Sequence, residues 1–162
     1  MILNVYSQNE EVFPFRKERL LRDFCYDLIA TSIEEVAPNV YRYGTGLHFV
    51  IKEENGLNLR NSDICVTIRP RSSIWKTGMV LSNSVGTIDI GYTGEVSAVF
   101  YHVMPNMPKY EIGDRIGQMH LSVSPILEIR PMSKEAFDRH CNTVSVFDSS
   151  FRGSCGYGST GK

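Results

Sequence analysis

The sequence predicts an all-β fold: a sandwich, jelly roll or barrel. Three observations carry that expectation. Runs rich in Val, Ile, Phe and Tyr recur along the chain and are short. Gly, Pro, Asn and Asp break them at close spacing. Helical signal is confined to two brief stretches. Taken in order, "ILNVYS" alternates and reads as a strand, and "GLHFVIK" follows, ending at the polar run "EENGLN". "DICVTIRP" is a strand that Pro70 stops. "GMVLSNSVGTIDIGYTGEVSAVFYHV" reads as two strand segments around a glycine-rich hairpin, and "DRIGQMHLSVSPILEIRP" supplies one or two more. "SKEAFDRH" is the one short helix, with Ser133 as its N-cap and good helix formers behind it. "RKERLLRDF" has helical propensity, but it is short and Pro14 precedes it.

The chain has 162 residues, 42% of them hydrophobic and 22% charged, which suits one globular domain of ordinary core size. A formal charge of −1 argues against a broad electrostatic grip on polymeric nucleic acid. No apolar run approaches the length needed to cross a bilayer, and "MILNVYSQNEE" lacks the pattern of an export signal. Cytoplasmic residence is the expectation, with Cys25, Cys65, Cys141 and Cys155 as free thiols. His48, His102, His120 and His140 show no zinc-ligand spacing with them.

The composition shifts near Phe151, where "RGSCGYGSTGK" begins. Four of these eleven residues are glycine and none is a large aliphatic, so the segment buries too little surface to order by itself. Closely spaced glycines let backbone N–H groups approach an anion, and Arg152, Ser159 and Thr160 add donors. Residues 1–150 are therefore read as the β domain and 151–162 as a flexible arm.

Four further stretches join this tail. "FCYDL" holds Asp27, "PRSS" holds Arg71, Ser72 and Ser73, "NSVGTIDIGYTGE" holds Asn83, Asp89 and Tyr92, and "GDRIGQ" holds Asp114, Arg115 and Gln118. In order and spacing the five resemble the motifs of the trimeric dUTP diphosphatases (dUTPases), over nearly the whole chain. The resemblance implies a jelly-roll-like β-barrel or sandwich (a dUTPase-like β-clip), a homotrimer, and active sites at subunit interfaces. It implies hydrolysis of dUTP to dUMP and pyrophosphate by Mg2+-assisted attack of water at the α-phosphorus, keeping uracil out of DNA and supplying dUMP for dTMP synthesis.

What it implies for single residues follows motif by motif. Asp89 matches the carboxylate that orients and deprotonates the attacking water. Tyr92 matches the tyrosine beneath the deoxyribose, where a ring leaves no room for a 2′-hydroxyl. Asn83 and the hairpin backbone over residues 86–92, with Gly86 and Ile88, match the reader of the uracil edge. Arg71, Ser72 and Ser73 match the phosphate-holding motif. Asp27, through water, and Gln118 match positions that engage the magnesium–triphosphate. Arg152, Tyr157, Gly158, Ser159 and Thr160 match the arm that closes over bound nucleotide, with Tyr157 where a ring stacks on uracil. Asp114 and Arg115 read as a structural pair at a turn.

Phe24, Cys25, Trp75, Gly117 and Cys155 depart from the family pattern without removing a reacting group. Two alternatives stand beside the main one. A dCTP deaminase shares the fold, but its relatives carry a glutamate where this chain has Val99, and they lack the glycine-rich arm. A nucleotide-sensing regulator would bind a protein partner and use dUTP as a switch.

Overall fold

The structure is a computed structural model that describes residues 2–8, 24–52, 64–89, 91–124 and 129–147. Among these residues the chain forms β1 (Ile2–Ser7), β2 (Tyr26–Ile29), β3 (Ser32–Ala37), β4 (Val40–Gly44) and β5 (Leu47–Lys52). There follow β6 (Ile64–Arg69), β7 (Met79–Leu81), β8 (Gly86–Asp89), β9 (Ser97–His102), β10 (Arg115–Val123) and α1 (Lys134–Phe147). The strands lie in the first of two compact units, Met1–Ile126, and the helix in the second, Leu127–Lys162. All strand pairings are antiparallel: β1 with β5, a four-stranded sheet β2-β10-β6-β8, and a second four-stranded sheet β3-β4-β9-β7.

The two four-stranded sheets meet through one apolar cluster. Leu28, Val66, Ile68, Ile116 and Met119 come from the first sheet; Tyr43, Met79, Leu81, Ala98 and Phe100 come from the second. Alternation explains the choice. In β9, Ala98 and Phe100 turn inward while Tyr101, on the opposite face, stays exposed. Tyr43, Phe100 and Tyr110 pack edge to face with centroids 5.4 to 6.1 Å apart. The Tyr43 hydroxyl donates to the Tyr110 carbonyl at 3.0 Å. Burial, then neighbouring Tyr41, pushes the Tyr43 phenol up to about 12, so it stays a neutral donor.

Several elements differ from the sequence expectation. The stretch at 78–103 holds three strands: β7 pairs with β9, Met79 opposite His102 and Leu81 opposite Phe100, while β8 departs to β6. The hairpin β3–β4 was not expected. It turns at Pro38 and Asn39, with Asn39 at φ 61, a conformation that Asn tolerates better than most residues. The "DRIGQ" region yields one strand, β10, among the described residues. The helix expected over 133–140 runs on to Phe147. Ser133 caps it as expected, accepting from the Ala136 N–H at 3.2 Å, and Lys134 pairs with Asp138 one turn on. The helical candidate "RKERLLRDF" and the 150/151 boundary lie outside the described residues. Among the described residues no helix is long and apolar enough to cross a membrane. Cys25, Cys65 and Cys141 are free thiols, and Cys155 lies outside the described residues.

On the outward face of β6 and β10, the buried His120 ring sits between two hydroxyls. Thr67 Oγ1 is 3.0 Å from its Nδ1, and Ser122 Oγ is 3.0 Å from its Nε2. Phe24 lies against the same ring, centroids 5.0 Å apart. Burial, then the charge of Arg69, holds the imidazole below its ordinary range. An unfolded chain takes up this proton near pH ~6.5, whereas the folded chain resists it. Stability is therefore complete above that value and falls as pH drops toward the depressed folded one. Thermal melts across this window should show the decline in the wild type and a flatter profile in His120→Asn.

Candidate active site

Polar side chains gather in two places, and register explains both. The first is Asp27 on β2. Gln118 lies directly opposite on β10 and donates from Nε2 to Asp27 Oδ1 at 3.3 Å. Arg71, just past the end of β6, reaches the same oxygen with Nε at 3.3 Å, and Arg115 reaches Oδ2 at 3.0 Å. Burial alone would raise the Asp27 carboxyl. Hydrogen bonds from Gln118 and Arg115, with the charges of Arg71 and Arg115, outweigh it and hold the group below its usual range. The cluster is thus an ionised carboxylate gripped by two guanidinium groups, with a net positive charge.

Arg115 takes a part here that its motif did not suggest. The Asp114–Arg115 pair expected at a turn is divided: Asp114 accepts from the Glu111 N–H at 2.8 Å, while Arg115 bonds Asp27. A bulge between Arg115 and Gly117 makes this reach possible. Residues three apart in a regular strand face opposite ways, and one inserted residue puts Arg115 and Gln118 on the same side. Gly117 suits the crowded spot, since a Cβ there would lie 3.3 Å from the Arg69 carbonyl oxygen.

Next to this cluster, Pro70 ends β6 and the chain turns. The Ile74 N–H closes the turn on the Arg71 carbonyl at 3.0 Å, with Ser72 and Ser73 at its centre. Neither serine N–H donates to another described residue. Arg71 NH1 also approaches Ser73 Oγ at 3.4 Å. Trp75 follows, 72% exposed, in a single 3-10 turn (Ile74–Lys76).

The second gathering is a slot between β8 and β9. These strands follow each other in sequence but do not pair. Four residues of β8 lie opposite β6 in one sheet, and β9 lies between β4 and β7 in the other. Two depressions lie between them. One, of about 160 Å³, is lined by Thr87, Ile88, Asp89, Tyr92, Glu95 and Ser97. The other, of about 90 Å³, includes Asn83 and Gly86 on one side and Ser97, Ala98 and Val99 on the other. Asp89 is exposed at the end of β8, and its carbonyl accepts from the Tyr92 N–H at 2.9 Å. Glu95 and Ser97 were not singled out in the sequence; Ser97 lines both depressions from the far wall.

Asp27, Arg71, Ser73 and Gln118 therefore come together, as do Asp89, Tyr92, Ile88, Asn83 and Gly86. Among the described residues no hydrogen bond or ion pair joins the groups. Arg152, Tyr157, Gly158, Ser159 and Thr160 lie outside the described residues.

No protein-family model matches the chain. It is 31% identical over 139 residues to the deoxyuridine 5'-triphosphate nucleotidohydrolase of Wolinella succinogenes, covering 85% of this chain and 79% of that one. The chain belongs to the dUTPase family. The dUTPase of Tolumonas auensis is 33% identical over 107 residues, 65% of this chain and 63% of its own length, so the match to that relative spans a little under two thirds of it. Among solved structures, a Staphylococcus phage 80alpha dUTPase variant with dUpNHpp aligns with a TM-score of 0.66 at 19% identity, covering 99% of both chains. A variant dUTPase of the S. aureus phage phi11, described with a structural Mg(II) ion, aligns at 0.59 and 18% identity, covering 83% of this chain and 98% of that one. At these identities the structural likeness shows the fold, a dUTPase-like all-β architecture.

In this dUTPase-family chain the cluster makes Asp27 a clasp for two arginines. Asp27→Asn should lower unfolding stability by about 1–3 kcal/mol, because it weakens charge-assisted bonds to Arg71 and Arg115. Urea titration at neutral pH measures it. The difference from wild type should shrink as pH falls through the depressed Asp27 value, where the wild-type carboxyl is also neutral.

Proposed function

We propose that this chain is a dUTP diphosphatase that splits dUTP into dUMP and pyrophosphate, acting as a cytoplasmic homotrimer. The observation that carries this reading is the slot between β8 and β9. One wall is β8, an edge strand whose outer N–H and C=O groups no neighbouring strand takes up; the other is β9 at Ser97 and Ala98, past the end of its pairing with β7. A flat ring with alternating acceptor and donor atoms, such as the edge of uracil, satisfies those groups as another strand would. Asp89 and Tyr92 stand beside the depression. Placement along the slot supports these roles: Asn83, Gly86 and Ile88 border the base, Tyr92 lies against the sugar, and Asp89 holds a water for attack on the α-phosphorus.

The phosphate side is the Asp27 cluster. Arg71, Arg115 and the turn at Ser72 and Ser73 offer cationic and N–H donors to the triphosphate. Strand register then separates the two halves. Asp27 and Asp89 stand on the two edge strands of one sheet, and their register positions on β6, Arg69 and Cys65, are four residues apart. With strands ~4.8 Å apart and ~3.3 Å per residue, the two carboxylates are about 20 Å apart. One chain cannot bring both to the same reacting phosphate. Asp89 of one copy with Asp27 of another can, which is what a trimer with shared sites provides.

Magnesium fits this arrangement in a particular way. Both Asp27 oxygens already accept from cationic or amide donors, so Asp27 and Gln118 are suited to hold the waters of a hydrated ion rather than the ion itself. Bound there, Mg2+ supplies charge neutralisation along the triphosphate. Arg152, Tyr157, Gly158, Ser159 and Thr160 complete the site as the closing arm. A protein partner that reads the nucleotide-bound state is the second reading, and pull-down with and without a non-hydrolysable dUTP analogue tests it.

The primary test is pyrophosphate release from dUTP, UTP, dTTP and dCTP with and without Mg2+. Release from dUTP alone, strengthened by Mg2+, is the expected result; ammonia from dCTP would refute it. Asp89→Asn should fold and assemble normally while lowering kcat about a hundredfold or more. Deleting residues 152–162 should leave assembly intact and remove most activity; full turnover by the truncated chain would refute the arm's role.

A further inference from the structure

Glu95 lies between the two walls of the slot, and its neighbourhood is built around it. Its Oε1 accepts from the Gly46 N–H at 2.8 Å. Gly46 stands at φ +67, a left-handed conformation that glycine adopts without strain. Beneath it, Gly44 leaves the room: a Cβ on Gly44 would lie 2.4 Å from the same Oε1. The main chain on the other side holds Tyr92. The Tyr92 hydroxyl donates to the Glu95 carbonyl at 3.1 Å, closing the turn over Gly94. A Cβ on Gly94 would meet that hydroxyl at 2.5 Å, so the closed form needs glycine there. One residue later the chain is locked again, with the Val96 N–H donating to the Leu47 carbonyl and the Val96 carbonyl accepting from Thr45 Oγ1 at 2.7 Å.

Tyr92 is 46% exposed, so core packing does not fix its ring. Its hydroxyl bond to Glu95 does, and Glu95 is in turn fixed by its own carboxylate. Glu95 lines the Asp89 depression and a second one on the far side of Tyr92, of about 260 Å³, which Ser32, Glu34 and Arg42 also border. Open space on both sides gives the Tyr92 ring somewhere to swing if the tether loosens.

We infer that Glu95 is a positioning residue that sets the Tyr92 ring, and through it the exclusion of ribonucleotides from the slot. This rests on the proposed dUTPase activity, with Tyr92 beneath the sugar. The carboxylate does not touch substrate; it holds the turn that carries the ring.

The test compares Glu95→Ala and Glu95→Gln in the full-length chain, measuring kcat and KM for dUTP and UTP. Gln keeps an acceptor oxygen for the Gly46 N–H, and Ala does not. Glu95→Ala should narrow the dUTP-over-UTP preference in kcat/KM about tenfold, mainly through KM, as expected for loss of one charge-assisted bond. Glu95→Gln should recover most of the preference. A simply structural role would lower melting temperature and leave the ratio alone. Tyr92→Phe removes only the hydroxyl tether and should narrow the ratio in the same direction, which decides the matter if Glu95→Ala does not fold. An unchanged ratio in Glu95→Ala or Tyr92→Phe, or Gln behaving no better than Ala, overturns the inference. A wild type inactive on dUTP refutes the function instead, and the dUMP-over-UMP binding ratio of the same proteins then reads the role of Glu95.

Discussion

The slot depends on two consecutive strands being committed to different sheets. β8 makes its ladder with β6 from Gly86 to Asp89, and β9 makes its own with β4 from Ser97 through Tyr101. Closing β8 onto β9 would break one of these ladders and strip residues such as Ile88 or Ala98 from the core. Buried backbone groups that lose their partners cost more than a new pairing at the surface returns. The hairpin is therefore held open by the packing of the whole domain. The slot stays open without a prior conformational change, and a preformed site limits the entropy lost on binding.

The same rigidity divides the chemistry. A sheet fixes its residues on a lattice of strand spacings and residue rises, so Asp27 and Asp89 keep their separation whatever the side chains do. The outward face between them carries Gln118, Arg69, His120, Thr67, Ser122 and Cys65 in register, a polar surface with the apolar core behind it. A reaction that needs both carboxylates near one nucleotide has to recruit them from different copies. In the proposed reaction, oligomerisation serves the chemistry as well as stability.

Legibility in the sequence followed the physics of each signal. β1, β5, β6 and the cap at Ser133 were readable because strand alternation and capping are local. β3 and β4 were missed because "SIEEVAPNVYRYG" mixes charge into the pattern: Glu34 and Arg42 lie opposite each other and form an ion pair across the hairpin. The split of residues 78–103 into three strands depends on which sheet each joins, and no local pattern records that. Gathering Asp27, Arg71 and Gln118 came from motif resemblance, and the register of β2 on β10 gives it a geometric cause. Arg115 was misjudged because its spacing from Gln118 is odd. Only the bulge brings both to Asp27, and the one trace of it in the sequence is Gly117.

That bulge also bears on how a chain of net charge −1 can present a locally positive cluster to an anion. Attraction at such a site is local: two guanidinium groups and one carboxylate leave a net positive cluster, while the acidic residues elsewhere are screened over roughly 8–10 Å of salt solution. Without Asp27, Arg71 and Arg115 would repel each other and spread into solvent. With it they are drawn to one point, each keeping N–H groups beyond those that Asp27 accepts. Because the Asp27 carboxyl is held below its ordinary range, the clasp survives mild acid and the cluster keeps its charge. The carboxylate orders the two cations in advance, so an anion that binds them meets an arrangement already set.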